Sequence, residues 1–160
     1  MERANRILQN EVYLFHLEKN KMAEADRCFC HHDIGHFLDV ARIARIMCLE
    51  EGIDIPEDIL YGAALLHDIG RHVQYEDGTP HEIASARIAP QILEECGYGA
   101  DEAERILDAI AQHRNGEVMQ EKNLRGVLYR ADKASRACFA CAAEKECNWK
   151  KEKKNLEIVY

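Results

Sequence analysis

The chain has 160 residues, and domains usually hold about 100–200, so one compact domain is expected. Its 21 Lys and Arg residues face 29 Asp and Glu residues, which gives a formal net charge of −8 with neutral histidines. This acidity argues against a nucleic-acid or anionic-membrane partner, because both need a basic surface. The 47% hydrophobic and 31% charged residues exclude wholesale disorder. No apolar run is long enough to span a bilayer.

The N-terminal segment and the cysteines predict a cytoplasmic protein. Residues 1–20 are charged throughout and lack the apolar stretch of a signal peptide. The seven cysteines are an odd number, so they cannot all pair within the chain. Without an export signal we expect reduced thiols.

Scarce glycine and proline favour helices over many short strands. With only nine Gly and three Pro, we predict an all-α bundle of about six to seven packed helices. A short segment is expected to end near Cys30. The other predicted helices cover residues 1–20, 32–50, 59–70, 80–96, 100–114 and 123–143.

Local signals define the middle of this bundle. Gly52 is placed to end the second long helix as a C-cap. The segment 59–70 is apolar nearly all round, so we predict that it forms the buried central helix. Residues 71–79 read as a loop. The chain is thus expected to be a single domain, 1–160, with a core at 30–137 and a charged, cysteine-containing tail at 138–160.

An unusual pair of residues ends the predicted central helix. His67 and Asp68 stand together in the sequence LLHDIG. A carboxylate at the negative end of a helix dipole, against an apolar wall, is destabilised unless a cation compensates its charge. A divalent metal ion is the simplest such cation, because imidazole and carboxylate are both good ligands.

Other metal-ligand residue types stand at comparable places along the chain. His36 and Asp132 lie on apolar helix faces, His81 opens a helix, and His113 ends one. Helix bundles build metal sites from side chains on facing helices. We therefore expect these four residues to meet His67 and Asp68 at one place.

The order His, His-Asp, Asp in these contexts resembles the HD superfamily of metal-dependent phosphohydrolases. The matching pieces are HFLDVARIA, ALLHDIGR and ADKAS, and the resemblance covers about residues 30–137. The resemblance implies an HD-domain fold. It implies that one metal ion is held by His36, His67, Asp68 and Asp132. His81 and His113 look like the two extra histidines of the two-metal subgroup, in which they and Asp68 hold a second ion.

The chemistry of two ions bridged by a carboxylate is phosphoryl hydrolysis by a metal-activated water. Asp68 would be the bridge, and the mixed N/O ligand set suits Fe, Mn, Co or Zn, as one or two ions. Because the chain is acidic, local cations must attract a phosphate. Arg71 is the first candidate and is assigned a catalytic role with Asp68, followed by Arg114 and Lys133.

The expected activity is hydrolysis of a small phosphate ester or anhydride, with a nucleotide favoured. The arrangement looks most like the small bacterial proteins that hydrolyse diadenosine polyphosphates. The GYP tripeptide of the HD-GYP cyclic-di-GMP hydrolases is absent. Two alternatives stay open, namely a nucleotide-binding, redox or metal sensor without turnover and a di-iron oxygenase. The sequence does not give the oligomeric state.

Two further clusters have competing readings. Cys138, Cys141 and Cys147 form a C-x-x-C-x5-C pattern, which Cys28 or Cys30 could complete as a zinc or iron–sulfur site. The alternatives are reduced thiols in a cysteine-rich tail, or a thiol redox switch. The segment 31–33 contains a second His-Asp pair, in which Asp33 is expected to be an ordinary first-turn residue. His32 lies four residues before His36 and could line the mouth of the pocket, but a core or surface position is favoured.

Overall fold

The computed structural model describes all residues from 1 to 160 and contains eight α-helices, three short 3-10 turns and no strand. The predicted all-α class is confirmed. The helices are α1 (Glu2–Ile7), α2 (Glu11–Ala23), α3 (Ile34–Glu51), α4 (Glu57–Leu66), α5 (Arg71–Asp77), α6 (His81–Glu95), α7 (Ala100–Gln112) and α8 (Leu124–Ala134). The 3-10 turns cover Gly116–Gln120, Cys138–Ala140 and Lys151–Lys153.

The central helix is α4, as its apolar sequence predicted. It packs against α1, α3, α6, α7 and α8. Seven of its ten residues are buried, including Leu60, Leu65 and Leu66. Because other helices surround α4, the residues that directly follow Leu66 lie in the interior of the bundle.

Helix α3 shows how local signals fix the ends of an element. The side chain of Asp33 accepts a hydrogen bond from the His36 N–H at 3.0 Å and so caps the first turn. Gly52 ends the helix in the left-handed conformation, with φ 66°. The end at Gly52 was predicted, whereas Asp33 was expected in the first turn and is instead the N-cap, because the helix begins at Ile34. The cap places His36 at the start of the helix.

Residues 71–77 form a helix where a loop was predicted, so this expectation was wrong. Helix α5 is short and packs between α2 and α6. The approach to α6 is close, because a Cβ atom built on Gly70 would lie 2.5 Å from the Ser85 nitrogen. Such tertiary packing stabilises a seven-residue helix that local propensity alone would not.

The predicted C-terminal helix is too long. Helix α8 ends at Ala134 rather than near residue 143. The side chain of Asn155 donates hydrogen bonds to the carbonyl oxygens of Lys133, Ala134 and Arg136, at 2.8, 3.1 and 2.9 Å. These bonds satisfy carbonyl groups that a continuing helix would have used, and they fold the tail back onto the domain.

The N-terminal twenty residues also differ from the single helix expected. A break in the helix at residues 8–10 separates α1 from α2. Asn10 caps α2, because its side chain accepts a hydrogen bond from the Tyr13 N–H at 3.0 Å. None of the helices has the length and apolar character needed to cross a membrane.

Candidate metal centre

Six side chains predicted from the sequence meet in the structure, in two groups. In each group the ligand atoms lie within 4.8 Å of one another. The first group is His36, His67, Asp68 and Asp132, and the second is Asp68, His81 and His113. Asp68 is therefore common to both.

The two oxygens of the Asp68 carboxylate face different histidines. Oδ2 lies 3.8 Å from Nε2 of His36 and 3.4 Å from Nε2 of His67. Oδ1 lies 3.1 Å from Nε2 of His81 and 3.4 Å from Nε2 of His113. A carboxylate whose two oxygens face separate pairs of histidines is suited to bridge two cations.

Five helices supply the six side chains, mostly at their ends. His67 and Asp68 follow the last residue of α4, and His113 follows the last residue of α7. His36 lies in the first turn of α3 and His81 opens α6, whereas Asp132 lies within α8. Helix ends are where the direction of a side chain is fixed by rigid packing while space remains for a ligand.

Main-chain carbonyls orient two of the histidines. Nδ1 of His67 donates to the carbonyl oxygen of Ala64 and Nδ1 of His113 to that of Ile110, both at 2.7 Å. A proton on Nδ1 leaves the Nε2 lone pair free, which is the tautomer that a metal ligand needs. Each carbonyl belongs to the last turn of the preceding helix, so each helix orients its own ligand.

The imidazole of His81 is oriented by a side chain instead. Nδ1 of His81 donates a hydrogen bond to Oε1 of Gln74 at 2.6 Å. Nη1 of Arg71 lies 2.6 Å from the same nitrogen and donates to Gln74 at 2.9 Å. Helix α5, which carries Gln74 and Arg71, thus positions one of the candidate ligands.

The pKa shifts of Asp68, His36 and His81 match the protonation states that a cation requires. Burial lowers the pKa of His67, but the Asp68 and Asp132 carboxylates outweigh this and raise it. Burial raises the pKa of the Asp68 carboxyl, but the adjacent imidazoles of His67 and His113 outweigh this and hold the pKa well below its usual range. Burial, aided by a neighbouring histidine in each case, lowers the pKa of His36 to about 4 and that of His81 to about 3. At neutral pH the carboxylate is charged and both imidazoles are neutral.

Several buried polar atoms of the site have no hydrogen-bond partner. They are Nε2 of His36, Nε2 of His67 and Oδ1 of Asp68. Buried polar atoms are nearly always satisfied, because leaving one unpaired costs about 1–3 kcal/mol. The two histidine nitrogens belong to the first group and Oδ1 of Asp68 faces the second, so a divalent ion at each group fits as the missing partner.

A cavity of about 370 Å³ opens from this site to the surface. Asp68, His81, His113 and Asp132 lie among the residues that line it. Its walls carry six basic side chains, which are Arg27, Arg71, Arg114, Lys133, Arg136 and Lys153. An acidic chain therefore presents a locally basic cavity, as required for an anionic ligand.

Comparison with known protein families agrees with the geometry. The family described as HD domain matches residues 33–146, which include all six side chains. This chain belongs to the HD domain family. Its membership confirms the resemblance seen in the sequence and places the chain in a superfamily of metal-dependent phosphohydrolases.

Relatives of this HD domain fall into two kinds. A protein of Clostridium beijerinckii, described as an uncharacterized protein, is 47% identical over 160 residues and is covered over its whole length. Ribonuclease Y of Nitratidesulfovibrio vulgaris is 34% identical over 132 residues, and that of Oleidesulfovibrio alaskensis is 32% identical over 131. These matches cover 82% of this chain but 23% of each ribonuclease. No solved structure matches the chain.

Three residues around the HD centre were missed or misjudged from the sequence. His32, for which a core or surface position was favoured, lines the cavity with Nε2 3.7 Å from Oδ2 of Asp68. The imidazole Nδ1 of His32 lies 2.6 Å from Oε1 of Glu24, and the main-chain N–H of His32 donates to the same carboxylate at 2.7 Å. Asn20 is fully buried and donates to the carbonyl oxygen of Asp68. The sequence carried no local signal for Asn20 or Glu24, because the apolar pattern of α2 is weak.

The cysteines occupy two environments, and all seven are free thiols. Cys48 and Cys96 are buried, as expected for inert thiols. Cys30, Cys138 and Cys147 line the outer part of the cavity. Neither of the two ligand groups in the structure contains a cysteine, so a metal site at the cysteines stays a prediction.

Proposed function

We propose that this HD domain hydrolyses a small phosphate ester or anhydride, and that its substrate is a nucleotide. The observation that carries the proposal is the Asp68 carboxylate, whose two oxygens each face a separate pair of histidines. A single structural or sensory ion would need only one such set. We propose that residues 1–160 act as one domain in a reducing, cytoplasmic setting.

The proposed ligand assignment follows the two groups. His36, His67, Asp68 and Asp132 would hold one divalent ion, and Asp68, His81 and His113 the other. When bound, such an ion pair supplies an activated water and neutralises charge on the phosphoryl oxygens. The mixed nitrogen and oxygen donors favour Fe, Mn, Co or Zn over Mg, which prefers oxygen.

Two guanidinium groups are available to bind the phosphate. Nε of Arg71 and Nη1 of Arg136 are buried donors without a hydrogen-bond partner, and both side chains line the cavity. Donors left unpaired beside a cavity are suited to bind oxyanions. Gln74 accepts a hydrogen bond from Arg71 beside the second ligand group, so Arg71 would orient the reacting phosphoryl group.

Lys133 and Arg136 also offset the negative charge of the Asp132 carboxylate, which lines the cavity. The Lys133 ammonium is hydrogen-bonded to the Asp132 carboxylate, and Nη2 of Arg136 lies 4.0 Å from Oδ2 of the same group. Burial raises the pKa of Asp132, but Lys133 and His67 outweigh it and hold this pKa below its usual range. Asp132 is thereby kept charged, as a metal ligand must be.

The size of the cavity favours a nucleotide over a polymer. A volume of about 370 Å³ lies within the range of small-molecule sites, and the chain as a whole is acidic. The ribonuclease Y relatives nevertheless make RNA the natural competing substrate. Because nucleic-acid binding needs a broad basic surface, we expect short nucleotides to be cleaved in preference to RNA.

The test is a hydrolysis panel on protein loaded with Mn²⁺ or Fe²⁺. Mononucleotides, dinucleoside polyphosphates, bis(p-nitrophenyl) phosphate and a single-stranded RNA are compared for the wild type, Asp68→Asn and Asp39→Asn. Asp39 is an exposed carboxylate on α3 and serves as the matched control. We expect metal-dependent release of phosphate or nucleotide that Asp68→Asn reduces at least a hundredfold and Asp39→Asn leaves unchanged.

Each alternative gives a different result. Nucleotide binding in a thermal-shift assay without any turnover would favour a sensor. Oxygen consumption dependent on iron would favour an oxygenase. Cleavage of RNA alone would replace the proposed nucleotide substrate, and equal activity in Asp68→Asn would refute the assigned site.

A further inference from the structure

The C-terminal tail is folded although it has no core of its own. Residues 133–160 contain no fully buried side chain. The segment instead makes short 3-10 turns and hydrogen bonds, such as that from the Phe139 N–H to the carbonyl oxygen of Asn155 at 2.9 Å. A segment that buries so little apolar surface normally needs a covalent or metal cross-link to stay folded.

Cysteines are concentrated where such a cross-link would act. Cys138 and Cys147 lie in the tail, and Cys30 lies in the loop before α3. All three line the outer part of one cavity. Cys141 is in the next turn after Cys138, and its N–H donates to the Cys138 carbonyl oxygen at 3.2 Å. The fold thus brings a distant loop to the C-x-x-C turn.

The electrostatics of the thiols agree with this proximity. Burial raises the pKa of Cys30, and the Cys138 and Cys141 thiols raise it further, against the opposing charge of Arg136. The Lys154 ammonium has a raised pKa, chiefly from its hydrogen bond with Glu144 and also from nearby Cys147 and Cys138. Cys30 therefore lies close enough to Cys138 and Cys141 for their charges to interact, and Cys138 and Cys147 lie close to the Lys154 ammonium.

We propose that Cys30, Cys138, Cys141 and Cys147 bind one Zn²⁺ ion as a tetrathiolate site, separate from the His/Asp centre. Four cysteines with one C-x-x-C pair are a common ligand set for structural zinc, which is tetrahedral with Zn–S distances of about 2.3 Å. Binding removes the four thiol protons and draws the sulfurs together. No electron transfer is involved.

The remaining cysteines do not fit this site. Cys48 and Cys96 are buried in the hydrophobic core. Both Cys28 and Cys30 are exposed, but only Cys30 lines the cavity, so the structure favours Cys30 over Cys28 as the fourth ligand. Cys28 therefore supplies a matched control, because it lies on the same loop.

The ion would fix one wall of the cavity. Asn148, Trp149 and Lys153 line the cavity on the tail side. The guanidinium carbon of Arg136 lies 3.7 Å from the centroid of the Trp149 ring, which connects this wall to the end of α8. Loss of zinc should thus release residues 138–160 while the helical core persists.

The experiment uses cobalt as a spectroscopic substitute for zinc in the full chain. Asp68→Ala, which removes the shared carboxylate of the His/Asp centre, is the background for Cys138→Ser/Cys141→Ser and for Cys28→Ser. We expect Asp68→Ala and its Cys28→Ser derivative to bind one Co²⁺ with intense sulfur-to-cobalt charge-transfer absorption, which Zn²⁺ displaces. The double cysteine variant should lose that absorption. Imidazole and carboxylate ligands do not give it, so the result is independent of hydrolytic activity.

Limited proteolysis supplies a second readout. Zinc removal or the double substitution should accelerate cleavage within residues 138–160 at least tenfold, with helicity from circular dichroism retained. Three results would overturn the proposal. They are absence of the charge-transfer absorption in the Asp68→Ala background, its persistence in the double cysteine variant, or a disulfide among the four cysteines in freshly purified protein.

Discussion

Asn20 of helix α2 holds the main chain of Asp68 in place. Its side-chain nitrogen donates to the Asp68 carbonyl oxygen at 2.9 Å, and its side-chain oxygen accepts the His72 N–H at 2.8 Å. Asn20 is fully buried. One side chain therefore bridges both ends of the turn between α4 and α5, and this turn carries the shared carboxylate of the metal centre.

Replacement of Asn20 should loosen that turn. Asn20→Ala leaves the buried His72 N–H without a partner and removes one of the two hydrogen bonds to the Asp68 carbonyl oxygen, which keeps that from the Arg71 N–H. We therefore expect the free energy of unfolding to fall by about 1–3 kcal/mol. Urea denaturation measures this, and the metal affinity of the folded variant should also decrease. Asn5→Ala, at an exposed position, is the control. Equal stability of the two variants would contradict the role given to Asn20.

The two groups of ligands should be separable by mutation. His81 belongs only to the second group, whereas Asp68 belongs to both. We expect His81→Ala to lose one of the two ions of the His/Asp centre and Asp68→Ala to lose both, without a change in metal bound at the cysteines. Elemental analysis of protein that has been dialysed against metal-free buffer gives the number of bound metal ions per chain. Loss of both ions in His81→Ala would show that the groups are not independent sites.

Glu24 should make the stability dependent on acid pH. Burial raises its pKa, but hydrogen bonds from His32 and Tyr75 outweigh this and lower it from 4.5 to about 2. Because the folded pKa lies below the unfolded one, the stabilisation is complete above pH 4.5 and is lost as the pH falls toward 2.

The matched variant for this prediction is Glu24→Gln. At pH 7 we expect it to be less stable than the wild type by about 2–3 kcal/mol, because the charged group's hydrogen bonds are weakened. Urea titrations at pH 7, 4 and 3 should show the difference shrinking with acidity. A difference that does not change with pH would exclude a charged Glu24 as its origin.

The close contact between Gly70 and α6 gives a steric prediction. A Cβ atom at Gly70 would lie 2.5 Å from the Ser85 nitrogen and 2.7 Å from the Ala84 carbonyl carbon, and neither backbone atom can move freely. We expect Gly70→Ala to destabilise the fold by about 1–3 kcal/mol. At Gly116 the nearest atom would be 3.8 Å away, so Gly116→Ala is the control in thermal unfolding. Equal melting temperatures would contradict this packing.

The sequence predicted the centre of the molecule better than its edges. His67 and Asp68 follow the strongly apolar helix α4, and Asp132 lies on the apolar face of the amphipathic helix α8. Such patterns fix both the helix and the face that it buries. The convergence of His36, His81 and His113 could be anticipated because each stands in the first turn of a helix or directly after its last residue.

The features that were missed depend on contacts between distant segments. Asn20 and Glu24 are polar residues in or beside a helix whose apolar pattern is weak, so nothing local shows that they are buried. Helix α8 ends early because Asn155, far along the chain, binds its last carbonyl groups. Hydrophobic periodicity cannot reveal an interaction of this kind.

The most direct test of the central claim is an anomalous-scattering map of crystals grown with Mn²⁺. Two peaks should flank the Asp68 carboxylate about 3.5–4 Å apart, one beside His36 and His67 and the other beside His81 and His113. A map without a peak at Asp68, with all six side chains ordered, would contradict the proposed metal centre.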